Sequence, residues 1–96
     1  GGENIASLEV ERVIQMLPAV AEVAVVGVPD ENWGEIPVAA VVCKPGERLG
    51  LKTLRHYCSQ RLASFKVPKK IVIYDELPRN PSGKLLKRII RENVQF

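Results

Sequence analysis

Apolar residues recur along this chain in two periods, and the alternation between them lays out the elements. Val10, Val13, Ile14 and Leu17 fall at i, i+3, i+4 and i+7, which predicts a helix over 8–17. Glu9 and Glu11 suit its N-terminal end, and Pro18 stops it. Val23–Val28 is a nearly continuous β-branched run, the pattern of a strand covered on both faces. Pro29, Asp30 and Gly34 then mark a loop before a second strand, Ile36–Cys43, with Pro37 near its start, where a missing donor is tolerated. After the Pro45-Gly46 turn, Leu51, Leu54, Cys58 and Leu62 form a second helical stripe, with Arg55 and Arg61 pointing outward. Phe65–Pro68 breaks the chain, and Ile71–Tyr74 gives a short third strand. Leu85, Leu86, Ile89 and Ile90 predict a last helix starting near Lys84. The order α-β-β-α-β-α predicts an α+β fold: a small mixed sheet of about three main strands flanked by three helices.

Length limits what such a fold can do. A chain of 96 residues buries only roughly 60–65% of its unfolded surface, which supports one core but no deep, water-free substrate pocket. Any catalysis therefore calls for a second domain to supply the rest of the site. The 46% hydrophobic content is ordinary for a globular fold, and no stretch is long enough to span a bilayer. The opening Gly-Gly-Glu-Asn has no signal-peptide character and no initiator methionine, which reads as an excised piece. Cys43 and Cys58 form no paired framework and read as small buried hydrophobes, which places the protein in a reducing, cytoplasmic setting. His56 and Cys58 lack the further ligands a metal needs, so no metal site is predicted.

Net charge is only +3, but the charge is unevenly spread. Residues 61–91 carry Arg61, Lys66, Lys69, Lys70, Arg79, Lys84, Lys87, Arg88 and Arg91 against Asp75 and Glu76 alone. A half-domain of this sign attracts nucleotides, phosphorylated cofactors or nucleic acid, or is simply a solvated face. Within it, Leu77–Arg88 carries the most specific chemistry. Pro78, Asn80 and Pro81 disfavour regular structure, and Ser82 suits a helix N-cap. That reading puts Lys84 beside free backbone N–H groups at the positive end of a helix dipole, a setting for phosphate or carboxylate. The alternative is a solvated lysine in a first helical turn. Gly83-Lys84 is not a P-loop: Pro78 stands where that motif needs its first glycine, and Leu85 replaces the hydroxyl that binds Mg²⁺. A basic module that binds nucleic acid stays open, although two Phe, two Tyr and one Trp make a thin stacking surface.

Four separated motifs stand in one order. These are Gly1-Gly2-Glu3-Asn4-Ile5 with Glu9-Val10-Glu11, Gly27-Val28-Pro29-Asp30 through Gly34-Glu35, Ala63–Pro68, and Leu77–Arg88. Together they resemble the C-terminal domain of the adenylate-forming acyl-CoA synthetases, across essentially the whole chain. Ser7 departs from the proline usual at that place, a neutral change at a helix cap, and Phe65 stands where tyrosine is common. The resemblance implies that residues 1–96 are the mobile C-terminal lid of an ATP-dependent acid–CoA ligase, working with an N-terminal domain of the same chain. That domain would hold Mg-bound ATP and the carboxylic acid substrate. Acyl-adenylate forms first, and the CoA thiol then displaces AMP. Lys84 would be catalytic, bridging the substrate carboxylate and the α-phosphate. After a rotation the opposite face would meet CoA, with Gly1, Gly2 and Glu3 edging the pantetheine channel. Trp33 and Phe65 would stack on the CoA nucleotide, with Lys66 and Lys69 pairing its phosphates; core packing is the competing role for both aromatics. Arg79, Lys87, Arg88 and Arg91 would form a solvated or interdomain face, and Asp30 and Glu35 would be structural. Within the same superfamily, a domain that adenylates for a carrier protein is the alternative. No nucleic-acid partner and no transmembrane segment are implied.

Overall fold

The computed structural model describes residues 5–94, and side chains from Ser7 onward. Gly1, Gly2 and Glu3 lie outside the described residues. The chain runs α1 (Ile5–Gln15), β1 (Val20–Asp30), β2 (Gly34–Cys43), α2 (Leu51–Ser59), a single 3₁₀ turn (Ser64–Lys66), β3 (Lys70–Ile73) and α3 (Lys87–Val94). This is the predicted order, and the sheet is mixed. β2 lies in the middle, antiparallel to β1 and parallel to β3. The parallel pairing follows from the chain crossing over through α2 between β2 and β3.

Alternate side chains of the β1–β2 pair serve two separate apolar layers. Val25, Ala39 and Val41 face α1 and α2, where they meet Val10, Ile14, Leu54 and Cys58. Ala24, Val26, Val28, Ile36, Val38 and Ala40 face the other way, against Leu77, Ile90 and Val94. A strand buried on both faces needs no polar alternation, so the unbroken run Val23–Val28 was a legible signal. The expected loop at Pro29–Gly34 is tighter than the sequence suggested. Both strands continue to Asp30 and Gly34, with Pro29 paired opposite Glu35, leaving a three-residue turn. Asp30 Oδ2 accepts from the amides of Asn32 and Trp33 at 3.0 Å each, an Asx turn that closes the hairpin.

Three expectations need correction. α1 starts at Ile5, so Glu9 and Glu11 sit in mid-helix and serve tertiary contacts rather than the helix dipole. Ser7 is inside that helix and buried, not at a cap. α3 starts at Lys87, not near Lys84. Leu85 reaches the core from an extended segment bridged antiparallel to Arg79.

Candidate active site

Lys84 stands on a small hairpin that the sequence builds from its turn formers. Arg79 and Leu85 pair across it, and Asn80 N–H donates to the Lys84 carbonyl at 2.9 Å. Gly83 has φ +91°, a left-handed conformation open to glycine, and its amide closes the turn on the Asn80 carbonyl at 2.8 Å. The Asn80 side chain completes the structure. Its Oδ1 accepts from Ser82 N–H at 3.1 Å, the Ser82 hydroxyl at 2.7 Å and Lys84 N–H at 2.9 Å. The expected helix-dipole setting for Lys84 is therefore absent: Asn80 has claimed the amide that was to be free, and Ser82 caps no helix. Short polar side chains compete with helices in just this way. What remains is an exposed ammonium on a tightly closed turn, with no ion-pair partner among the described residues.

Three of the surrounding basic residues are tied down within the domain. Arg79 donates to Glu22 at 2.7 Å and to the Gly83 carbonyl at 3.0 Å. Lys87 pairs with Glu11 at 2.7 Å and also donates to the Val25 carbonyl at 3.0 Å. Arg91 reaches the Gly27 carbonyl at 3.3 Å. All three fasten the C-terminal segment to the free edge of β1, which would otherwise expose unpaired backbone groups. Arg88 is exposed beside Glu92.

The β1–β2 hairpin end is built differently. Trp33 is 67% exposed and Phe65 73%, so core packing is ruled out for both. Lys69 Nζ lies 4.4 Å from the Trp33 ring centre, and its backbone amide is anchored on the Pro37 carbonyl. Lys66 Nζ sits 5.6 Å from the Phe65 ring and is held by Glu9 at 2.6 Å. Beside them opens a cavity of about 220 Å³, lined by Ser7, Gly27, Glu35, Phe65 and Lys66 among others. Gly27 lets the Glu35 side chain lie close: a Cβ there would meet the Glu35 carboxyl carbon at 2.5 Å. Glu35 is exposed, and its backbone amide donates to the Trp33 carbonyl at 2.9 Å, while the Asp30 carboxylate holds the turn amides. The structure thus brings Trp33, Phe65, Lys66 and Lys69 to one end. Lys84 is elsewhere, on the segment that Arg79 ties to Glu22. Glu22 and Asp30 are eight steps apart along β1, about 26 Å of extended chain, in a molecule whose longest dimension is 35 Å.

The two cysteines take no part in either place. Cys58 is fully buried, and that burial pushes its thiol above the usual range, with Arg61 and Arg55 pulling weakly the other way. A thiol so placed is a poor nucleophile. Cys43 is half-buried against the same core.

A match to the family described as AMP-binding enzyme C-terminal domain extends over residues 9–84, from α1 to the lysine of the small hairpin. The chain belongs to that family. This AMP-binding enzyme C-terminal domain is 49% identical over 92 residues to the long-chain-fatty-acid–CoA ligase FadD13 of Mycobacterium tuberculosis, covering 96% of the chain and 18% of the relative. It is 48% identical over 95 residues to a 2-succinylbenzoate–CoA ligase of Bacillus cereus, covering 99% and 19%. Among solved structures, ATP-bound MatB from Rhodopseudomonas palustris superposes with a TM-score of 0.88 at 40% identity, over 97% of this chain and 18% of that one. The chain thus spans about a fifth of the length of the curated relatives it matches.

Sequence reasoning missed Glu9, Glu11 and Asn80 as organisers of these two places. Asn80 had a local signal, an Asx-turn residue two positions before Ser82 and three before a glycine. Glu9 and Glu11 had none, because their partners Lys66 and Lys87 lie 57 and 76 residues away.

Proposed function

We propose that this domain is the mobile C-terminal part of an ATP-dependent acid–CoA ligase. The carrying observation is the pairing of a whole-length match to CoA ligases at close to half identity with two chemically distinct places at separate ends of one sheet. Lys84 offers a single compact positive charge on a fixed turn. Bringing a carboxylate to the α-phosphate of ATP concentrates negative charge, and an ammonium delivered there offsets it as the two approach. The donor set at the other end suits CoA. The exposed Trp33 face offers stacking for a purine, Lys69 beside it offers charge to phosphate, and the slot bordered by Gly27 and Phe65 leads inward. Lys66 is the weaker candidate, since releasing it for a phosphate would break its contact with Glu9. Gly1, Gly2 and Glu3 are assigned to the pantetheine channel on the family resemblance. Because the two places are far apart, one pose of the domain cannot present both to a single reaction centre, and a rotation between steps follows. ATP with its Mg²⁺ and the acid are assigned to the N-terminal domain of the full-length protein, and the setting is cytoplasmic.

The test separates the half-reactions in the full-length protein. Lys84→Ala should slow acid-dependent ATP–pyrophosphate exchange on the order of 10²- to 10³-fold, the usual cost of one preorganised charge donor. Thioester formation from supplied acyl-adenylate should hardly change. Equal loss in both steps would make Lys84 structural. If a phosphopantetheinylated carrier protein accepted the acyl group and free CoA did not, the acceptor assignment would change while the adenylation role stood.

A further inference from the structure

We infer that Lys87 and Glu11 are positioning residues for Lys84, an inference that rests on the adenylation role just proposed. Lys87 is the first residue of α3 and Arg88 follows it, so the helix opens with two cations and no acidic residue in its first turn. Positive charge at a helix N-terminus is locally unfavourable. A residue that breaks a local rule is expected to serve something else, and for Lys87 the tertiary contacts show what that is. Its ammonium reaches Glu11 Oε2 at 2.7 Å and the Val25 carbonyl at 3.0 Å, while Val25 N–H donates to the same Glu11 oxygen at 2.8 Å. Helix α1, the edge of β1 and the start of α3 thus meet at one knot, with the two side chains only 13% and 17% exposed.

That knot lies three residues from Lys84. The Leu86 amide closes on the Pro78 carbonyl at 2.8 Å, so the hairpin carrying Lys84 is continuous with the knot through a single short link. On its other side the hairpin is tied by Arg79 to Glu22, but both side chains there are close to half exposed. An exposed pair holds position weakly, whereas a largely buried pair with backbone hydrogen bonds on both partners holds it firmly. The Lys87–Glu11 knot therefore sets where the Lys84 ammonium stands relative to the sheet. Val25 also lines the slot beside Phe65, but the Lys87 and Glu11 side chains do not, so the loss should be felt chiefly in adenylation.

Both half-reactions are measured in the full-length protein for Lys84→Ala, Lys87→Met, Lys87→Arg, Glu11→Gln and the double variant Lys87→Met/Glu11→Gln. Lys87→Met should lower kcat for acid-dependent ATP–pyrophosphate exchange on the order of 10- to 100-fold, as misplacing a catalytic group by about 1 Å can. KM for ATP and the rate of thioester formation from supplied acyl-adenylate should stay close to those of the parent. Lys87→Arg should restore most of the exchange, since a guanidinium can reach both acceptors. Glu11→Gln, which keeps the shape and removes the charge, should show a milder loss of the same kind, and the double variant should be no worse than Lys87→Met. If Lys87→Met and Glu11→Gln slow both half-reactions alike, or neither, while Lys84→Ala still stops exchange, the positioning role is wrong and the role of Lys84 survives. If Lys84→Ala leaves exchange intact, the adenylation reading fails and the positioning role falls with it.

Discussion

The two ends of this domain present positive charge in opposite ways. At the Lys84 hairpin the backbone is closed on itself: Asn80 Oδ1 takes three donors, Gly83 turns the chain, and the Lys84 ammonium stands exposed with no ion-pair partner among the described residues. At the Trp33 end the charges lie over aromatic faces, Lys69 on Trp33 and Lys66 near Phe65, and the rings themselves are exposed. A bare ammonium on a fixed turn can neutralise one point of developing charge. A ring with an ammonium above it, next to a slot, can hold an extended ligand that is flat in one part and anionic in another. Lysine beside loop residues thus stands as a bare ammonium in one place and over an exposed ring in the other, according to how the fold closes the backbone around it.

The comparison breaks first at Lys84. Lys84→Arg in the full-length protein should rescue little of the 10²- to 10³-fold loss in exchange expected for alanine, because a planar fork is larger and differently aimed. Near-complete rescue would mean that only net charge matters and that the fixed turn does not. Gly83→Ala comes next. No atom lies within 4 Å of the added Cβ, so the effect is pure backbone strain at φ +91°. About 1–2 kcal/mol of strain should distort the exposed hairpin, slowing exchange about tenfold with little change in Tm. A large fall in Tm would show the hairpin to be part of the core.

At the other end, Trp33→Ala and Phe65→Ala should each raise KM for CoA about fivefold, from roughly 1 kcal/mol of lost stacking, and leave exchange alone. Tm should hold, since both rings are already in solvent. The smallest effect concerns the layer between the two ends. The raised thiol of Cys58 means that the folded chain keeps its proton at a pH where the unfolded chain has lost it. Its contribution is complete below the ordinary thiol pKa and fades as pH rises toward the folded value. The stability difference between the parent and Cys58→Ala, from urea titrations, should therefore shrink between pH 7 and pH 10, with neither half-reaction altered by the substitution at pH 7.

The helices and strands were legible because their signals are local. Val10 and Ile14 repeat at helical spacing, and Val23–Val28 has the continuous apolar character of a doubly covered strand. Lys84 was placed on a helix because Ser82 and the run Leu85–Ile90 imitate a cap and a stripe. The structure spends Ser82 on Asn80 and Leu85 on a bridge to Arg79 instead. The exposure of Trp33 and Phe65 was not legible, since an aromatic in a loop reads equally as core or surface. Nor were the roles of Arg79, Lys87 and Arg91: each is tied to β1, whose acceptors lie more than fifty residues earlier in the chain.

If the two ends serve different half-reactions, ATP–pyrophosphate exchange and thioester formation at limiting CoA should respond in opposite ways to Lys84→Ala and Trp33→Ala in the same full-length protein. Lys84→Ala should lose exchange and keep the thioester step, while Trp33→Ala should keep exchange and lose thioester rate at low CoA. Parallel losses in the two variants, in either half-reaction, would contradict that division.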